Sequence, residues 1–237
     1  MSSAAESHFR DRLAQAAVEL DPFPHCVIDQ VFPEDFFFDL HEHWPDEGVL
    51  TPLADTGRVY GMRERLALVL DDAGLAKLRD PDRRFWQEEV LAWLMSPAAC
   101  RAMAAKFDAI TAPRLQAAGG RLWGDALIVS DRENYAIGPH TDAPHRLVSA
   151  LFYLPVDEWT FADRVGTVLY RPKDPRMTCA GGPHYGYEAF QAVRRVAFLP
   201  NRMLLFPKTT SSFHGVERVA IPGIDRRLLI FNVRIPV

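Results

Sequence analysis

From Gly119-Gly120 onward the chain breaks into short apolar segments, and this punctuation constrains the fold more than any other feature. RLWGDALIVSD, LVSALFYLP, GTVLYRP, RRVAFLP, RMLLFP, HGVERVAI and RRLLIFNVRIPV are rich in β-branched and aromatic residues and are separated by Pro, Gly, Asp or Asn. Such segments read as strands, because branched and aromatic side chains fit a pleated, half-buried surface. Strands in that number and spacing close into a jelly-roll or barrel. The stretch between Pro172 and Gln191, PKDPRMTCAGGPHYGYEAFQ, is too long and irregular for a hairpin and reads as a functional loop.

The first half has a different texture. HFRDRLAQAAVEL carries apolar residues at helical spacing until Pro22 and Pro24 stop it. HCVIDQVF reads as a short strand, and PEDFFFDLHEHW as a helix with acidic residues in its first turn. Asp80 to Ala118, rich in Ala, Leu, Met and Glu, predicts two or three helices with a boundary at Ser96-Pro97. The expected class is α+β, a jelly-roll core braced by N-terminal helices. No linker or repeat divides the 237 residues, and 48% hydrophobic content suffices for one sizeable core. One domain is expected over 1–237, with a mainly helical bracing region at 1–120 and the jelly-roll at 121–237.

A net charge of −4, evenly dispersed, leaves no footprint for duplex nucleic acid. Cys26, Cys100 and Cys179 are sparse and form no CxxC pair, which suits a reducing compartment. The N-terminal stretch has no signal-peptide core, and no apolar run approaches the roughly 20 residues of a membrane span. A cytoplasmic protein is expected.

The chemistry concentrates in NYAIGPHTDAPH, residues 134–145. In a strand, side chains two apart share a face, so His140 and Asp142 would present an imidazole beside a carboxylate. Pro139 lacks an amide hydrogen and places that strand at a sheet edge or just at the entry to its ladder. TTSSFHGVERV supplies His214 at the start of a later strand, after small hydroxyl residues that close a tight turn. Two histidines and one carboxylate make the facial triad, which leaves open positions on Fe(II). His145, at an odd offset beyond Pro144, and His184, on the irregular loop, read as solvated or substrate-facing. In IDRRLLIFNVR, Arg226 shares strand parity with the polar Asn232, whereas Arg227 shares it with Leu229, Phe231 and Val233, a core face. An arginine offers a carboxylate a planar bidentate fork. Arg226 is preferred for that role, with Arg227 the alternative if the register shifts by one.

The order His-x-Asp, distal His, then Arg resembles the Fe(II)/2-oxoglutarate-dependent oxygenases, in particular the branch of prolyl-hydroxylase-type enzymes. PFPHCVIDQVFPEDFFFDL, PHTDAPHRLVSALFYLP, GTVLY, SFHGVERV and DRRLLIFNV carry the resemblance along most of the chain. It implies a double-stranded β-helix (cupin-like) core, with iron held by His140, Asp142 and His214. It implies 2-oxoglutarate as co-substrate, its C5 carboxylate on Arg226 or Arg227, O2 as oxidant, and ascorbate as a candidate reductant. Tyr153 matches a tyrosine that assists that carboxylate, and reads equally as a core aromatic whose hydroxyl finds a partner. Many relatives carry a small hydroxyl residue two after the arginine where this chain has Leu228 or Leu229, which leaves Lys208 as a secondary cation. An aspartate at 142 favours hydroxylation, since related halogenases have a small residue there. The implied activity is hydroxylation of a small-molecule, sugar-containing or amino-acid-derived substrate. His184, Tyr185, Tyr187, Phe190, Trp159 and Phe161 are expected to form a lid. Two rivals differ in kind: a cupin-like metalloenzyme independent of 2-oxoglutarate, and a non-catalytic carbohydrate-binding jelly-roll.

Overall fold

The predicted strands form two antiparallel sheets that face each other. In the computed structural model, which describes residues 2–56, 62–156 and 161–237, eleven strands follow in chain order. They are β1 (Cys26–Asp29), β2 (Thr51–Pro52), β3 (Arg65–Val69), β4 (Trp123–Asp131), β5 (Ile137–His140), β6 (Arg146–Tyr153), β7 (Thr167–Pro172), β8 (Phe190–Val196), β9 (Arg202–Pro207), β10 (His214–Val216) and β11 (Arg226–Arg234). The larger sheet has the order β1-β9-β6-β11-β4-β3-β2 and the smaller one β5-β10-β7-β8. Mixed helices over this pair of sheets make the fold a double-stranded β-helix.

Alternation along the strands separates two cores. On β11, Leu229, Phe231 and Val233 join β6 residues Val148, Ala150 and Phe152 in packing against the helices. Leu228 and Ile230 face the space between the sheets with Tyr153, Leu204, Phe206 and Val216. A third cluster lies on the outer face of the smaller sheet, where Val168 and Tyr170 meet Phe190, Phe213 and Cys179.

The helices brace the outside of the larger sheet. α1 (Ser2–Gln15) and α2 (Glu34–Glu42) bury Phe9, Phe36 and Leu40, and Phe32 stacks on Phe152 at 5.2 Å. A short α3 (Asp72–Leu75) precedes α4 (Asp80–Arg84), which runs through a π-helical stretch, Phe85–Leu91, into α5 (Ala92–Leu94). Ser96 then starts α6 (Pro97–Ala105), its hydroxyl accepting from the Ala99 amide at 3.1 Å, and α7 (Asp108–Ala117) follows. The Ser-Pro boundary works as expected: a side-chain cap with proline in the first turn.

The first half is less exclusively helical than its composition indicates. β1, β2 and β3 all join the larger sheet, and β3 pairs with β4 from Arg65↔Asp131 to Val69↔Leu127. RLALV favours helix by propensity, but pairing along an open sheet edge overrides that preference. Among the described residues no helix is long and apolar enough to cross a membrane.

A candidate metal and anion site between the sheets

β5 is the edge of the smaller sheet, one of the positions that Pro139 predicts, and it pairs with β10 so that His140 and His214 are direct cross-strand partners. Their ring centroids lie 4.4 Å apart. Each Nδ1 bonds the carbonyl two residues back, His140 to Gly138 at 3.0 Å and His214 to Ser212 at 3.1 Å. A carbonyl only accepts, so each Nδ1 carries the proton and each Nε2 keeps a lone pair. Gly215 permits the close approach, since a Cβ there would come within 2.5 Å of the Ile137 carbonyl. The hydroxyl-rich turn before His214 closes through Ser212 Oγ, which accepts from the Thr209 amide at 3.0 Å.

Asp142 reaches the same point by a different route from the one expected. β5 ends at His140, so Asp142 lies beyond the strand and strand parity does not aim it. Side chains do so instead: Arg146 Nη1 donates to Oδ1 at 2.5 Å and Ser149 Oγ to Oδ2 at 2.6 Å. Thr141 turns the other way, its hydroxyl donating to the Cys179 carbonyl at 2.9 Å. Gly181, at φ +125°, closes over this loop, where a Cβ would lie 2.4 Å from the Asp142 carbonyl. One donor atom from each of His140, Asp142 and His214 lies within 4.8 Å of the others.

Their protonation states suit a cation. Burial, with the neighbouring His214, holds His140 well below the ordinary histidine range, and burial likewise lowers His214. Burial alone would raise Asp142, but Arg146, His214 and His140 and the Ser149 bond together hold it well below the usual carboxylate range. Two neutral imidazoles and one ionised carboxylate are the forms that ligate a divalent metal.

The three residues line a cavity of about 500 Å³ between the sheets, together with Arg65, Tyr135, Thr167 and Arg226 towards the start of β11. Arg226 is buried; its Nε donates to the Val165 carbonyl at 2.6 Å and its Nη1 to Asp131 Oδ2 at 2.5 Å, while Nη2 has no partner among the described residues. Arg65 grips the same Asp131 through Nε at 2.5 Å and Nη2 at 2.8 Å. Its guanidinium lies 4.3 Å from the Tyr135 ring centroid, and the Tyr135 hydroxyl is buried without a partner among the described residues. Burial raises the Tyr135 phenol, which therefore stays a donor. Two orphaned donors in one buried pocket suit an anion's oxygens.

The other anticipated residues take different places. Arg227 donates to Asp225 Oδ2 at 2.6 Å and lies over Trp44, outside the cavity. Tyr153 is a core aromatic against Phe198, and its hydroxyl donates at 2.8 Å to Thr167 Oγ1, so it meets the cavity only through Thr167. Lys208 spends its ammonium on Thr141 Oγ1, the Cys179 carbonyl and the Thr209 carbonyl behind the metal loop. His145 and His184 both line the cavity, as substrate-facing groups would. The expected aromatic lid forms only in part. Tyr185 and Phe190 pack on the outer face of the smaller sheet, Tyr187 donates to the Val216 carbonyl, and Phe161 is exposed. Trp159 lies outside the described residues. Arg65, Asp131, Tyr135, Arg146 and Ser149 went unanticipated. Asp131 alone left a trace, as a charge ending the strand after the apolar run of residues 126–129.

No family model and no curated protein matches the chain. Solved structures do. A Trichoplax adhaerens prolyl hydroxylase in complex with a hypoxia inducible factor oxygen degradation domain peptide fragment is 15% identical, with a TM-score of 0.51, covering 97% of this chain and 88% of that one. A 2OG-Fe(II) oxygenase family oxidoreductase from Burkholderia pseudomallei is 11% identical, with a TM-score of 0.50, covering 97% and 89%. The chain thus has the fold of the 2-oxoglutarate/Fe(II) oxygenases, in its prolyl-hydroxylase-like form.

Proposed function

We propose that this protein is an Fe(II)- and 2-oxoglutarate-dependent oxygenase that hydroxylates a C–H bond of a small substrate. The observation that carries the reading is one cavity holding both a His-Asp-His cluster and a buried arginine with an unpartnered nitrogen. His140, Asp142 and His214 would hold the iron, each imidazole through Nε2. Bound there, iron with 2-oxoglutarate and O2 supplies the oxidising chemistry that turns C–H into C–OH, releasing succinate and CO2.

The protein's own residues prepare this site. Arg146 and Ser149 orient Asp142, and the Gly138 and Ser212 carbonyls fix the two tautomers. Arg226 Nη2 and the Tyr135 hydroxyl offer two donors to the distal carboxylate of 2-oxoglutarate, with Arg65 and Asp131 holding Arg226 in place. Leu127, Leu151, Phe206, Leu228 and Ile230 exclude water between the two ends. A carboxylate at 142, and not a small residue, supports hydroxylation.

Anaerobic absorption spectroscopy tests the reading. Fe(II) and then 2-oxoglutarate are added to metal-free protein, with His214→Ala in parallel. A weak visible charge-transfer band that needs both additions and is lost in the variant is expected. A folded protein that gives no band would overturn the proposal.

A further inference from the structure

The cavity carries more positive charge than a metal and 2-oxoglutarate account for. β11 presents Arg226, Leu228, Ile230 and Arg234 to it at alternate positions. The metal cluster belongs to the Arg234 end, because Ser149, which holds Asp142, lies opposite Asn232, and Arg146 lies opposite Arg234. Arg226 and Arg146 therefore approach the cavity from opposite ends, with the cluster at Arg146's end.

Four arginines line the cavity, and Asp142 is the one carboxylate lining it among the described residues. Behind the lining, Asp131 is shared by Arg65 and Arg226, and Asp125 accepts from Arg234 at 2.8 Å. With Lys208, whose ammonium donates to the lining Thr141 at 2.8 Å, five cations stand against three carboxylates among the described residues, an excess of positive charge in a chain whose net charge is −4. A divalent metal adds two charges and a 2-oxoglutarate dianion removes two, so the excess remains.

Arg146 is where that charge is available. Its Nη1 is committed to Asp142, its side chain is 29% exposed, and its Nε is buried without a partner among the described residues. Nε and Nη2 form the guanidinium edge that receives a carboxylate bidentately. His145 and His184 also line the cavity and add no competing anion, and His184 stands 4.8 Å from the His140 ring.

We propose that the substrate is a small molecule bearing a carboxylate, and that Arg146 receives this group on its Nε–Nη2 edge while Nη1 stays on Asp142. A carboxylate's two coplanar oxygens match that planar edge. The same contact would hold the carboxylate beside a metal ligand, so the oxidised carbon is only a few bonds from it. This inference rests on the oxygenase reading, and its test separates the two.

Protein loaded with Zn(II), which is redox-inert, and saturating 2-oxoglutarate is titrated calorimetrically with acetate and acetamide, benzoate and benzamide, and N-acetylglycine and its amide. Binding of 2-oxoglutarate is measured first; its absence would overturn the oxygenase reading. Once it binds, at least one carboxylate should bind tenfold or more tightly than its amide. Arg146→Gln should erase that preference, and Arg146→Lys, which keeps the charge but loses the fork, should retain part of it. No preference in any pair, including no binding of either member, overturns the inference, as does an undiminished preference in Arg146→Gln.

Discussion

Replacing Asp131 with Asn asks whether two buried arginines are held in place by one carboxylate for the sake of a ligand. Asp131 is fully buried; Oδ1 accepts from Arg65 Nε, and Oδ2 accepts from both Arg65 Nη2 and Arg226 Nη1. Asparagine keeps the shape but has one oxygen and an NH2 group. In its better orientation the oxygen serves Nη2 and Nη1, and the NH2 faces Arg65 Nε–H, donor against donor. A charge-assisted hydrogen bond worth about 1.5–3 kcal/mol is lost. Both guanidiniums also lose their counter-charge, and breaking a buried pair costs about 3–5 kcal/mol. These effects overlap, so the larger range is the expected total. At about 2–4 °C per kcal/mol for a chain of this size, the melting temperature of metal-free Asp131→Asn should fall by about 6–20 °C. The distal carboxylate of 2-oxoglutarate restores negative charge at Arg226, so Zn(II) with saturating 2-oxoglutarate should raise the variant's melting temperature more than the wild type's. Scanning calorimetry measures both. A variant melting within about 2 °C of wild type would refute the charge-compensation argument, and equal ligand shifts would refute the idea that the co-substrate reaches this arginine pair.

The remaining expectations concern neighbouring parts of the molecule. Arg226→Met should weaken 2-oxoglutarate binding by at least about 30-fold, as removing one partner of a buried charged contact costs about 2–5 kcal/mol. Arg227→Met, outside the cavity, should change it less than about threefold, and calorimetric titration giving the reverse order would show that the other arginine does the binding. Ser149→Ala removes the donor on Asp142 Oδ2 and should lower Zn(II) affinity by about 10–100-fold in a chelator competition; unaltered affinity would mean that Asp142 needs no such support. Away from the site, burial holds His25 and His41 below the ordinary value of 6.5. Below that value the unfolded chain binds these protons and the folded chain does not, so stability is full above pH 6.5 and declines as pH drops through it. Urea midpoints between pH 7.5 and 5.5 should show the decline, and His25→Gln should flatten it; a pH-independent midpoint would contradict the assignment.

What could be read from the sequence was whatever depends on local pattern. Arg226 was separable from Arg227 because strand parity puts one with Asn232 and the other with core residues, and the register Arg226↔Asp131 keeps that parity. Pro139 marked an edge or a ladder entry because a missing amide hydrogen is a local fact, and β5 takes the edge. Asp142 gave a partly wrong reason for the right neighbourhood: period-two logic aimed it, yet the strand stops two residues earlier and Arg146 and Ser149 aim it instead. β3 was invisible because RLALV has helical propensity and becomes a strand only through β4, some sixty residues on. Arg65 and Tyr135 escaped for the same reason: an arginine in a mixed segment acquires meaning only when Asp131 is brought against it.

One construction recurs around this cavity. Asp131 takes Arg226 and Arg65, Asp142 takes Arg146, and Asp125 takes Arg234. A guanidinium in a low-dielectric interior must have a carboxylate partner, or it destabilises the fold. It also has more donors than one carboxylate can engage. Pairing each arginine along one edge meets the folding requirement and leaves other donors directed by the pair. On Arg226 that donor is Nη2 and on Arg146 it is Nε, both buried and without partners among the described residues. Removing Asp131 should therefore harm folding, whereas removing either arginine should harm binding in proportion to the ligand charge it meets. The two arginines should then be separable by ligand, with Arg226 variants losing the dicarboxylic co-substrate and Arg146 variants losing the monocarboxylate.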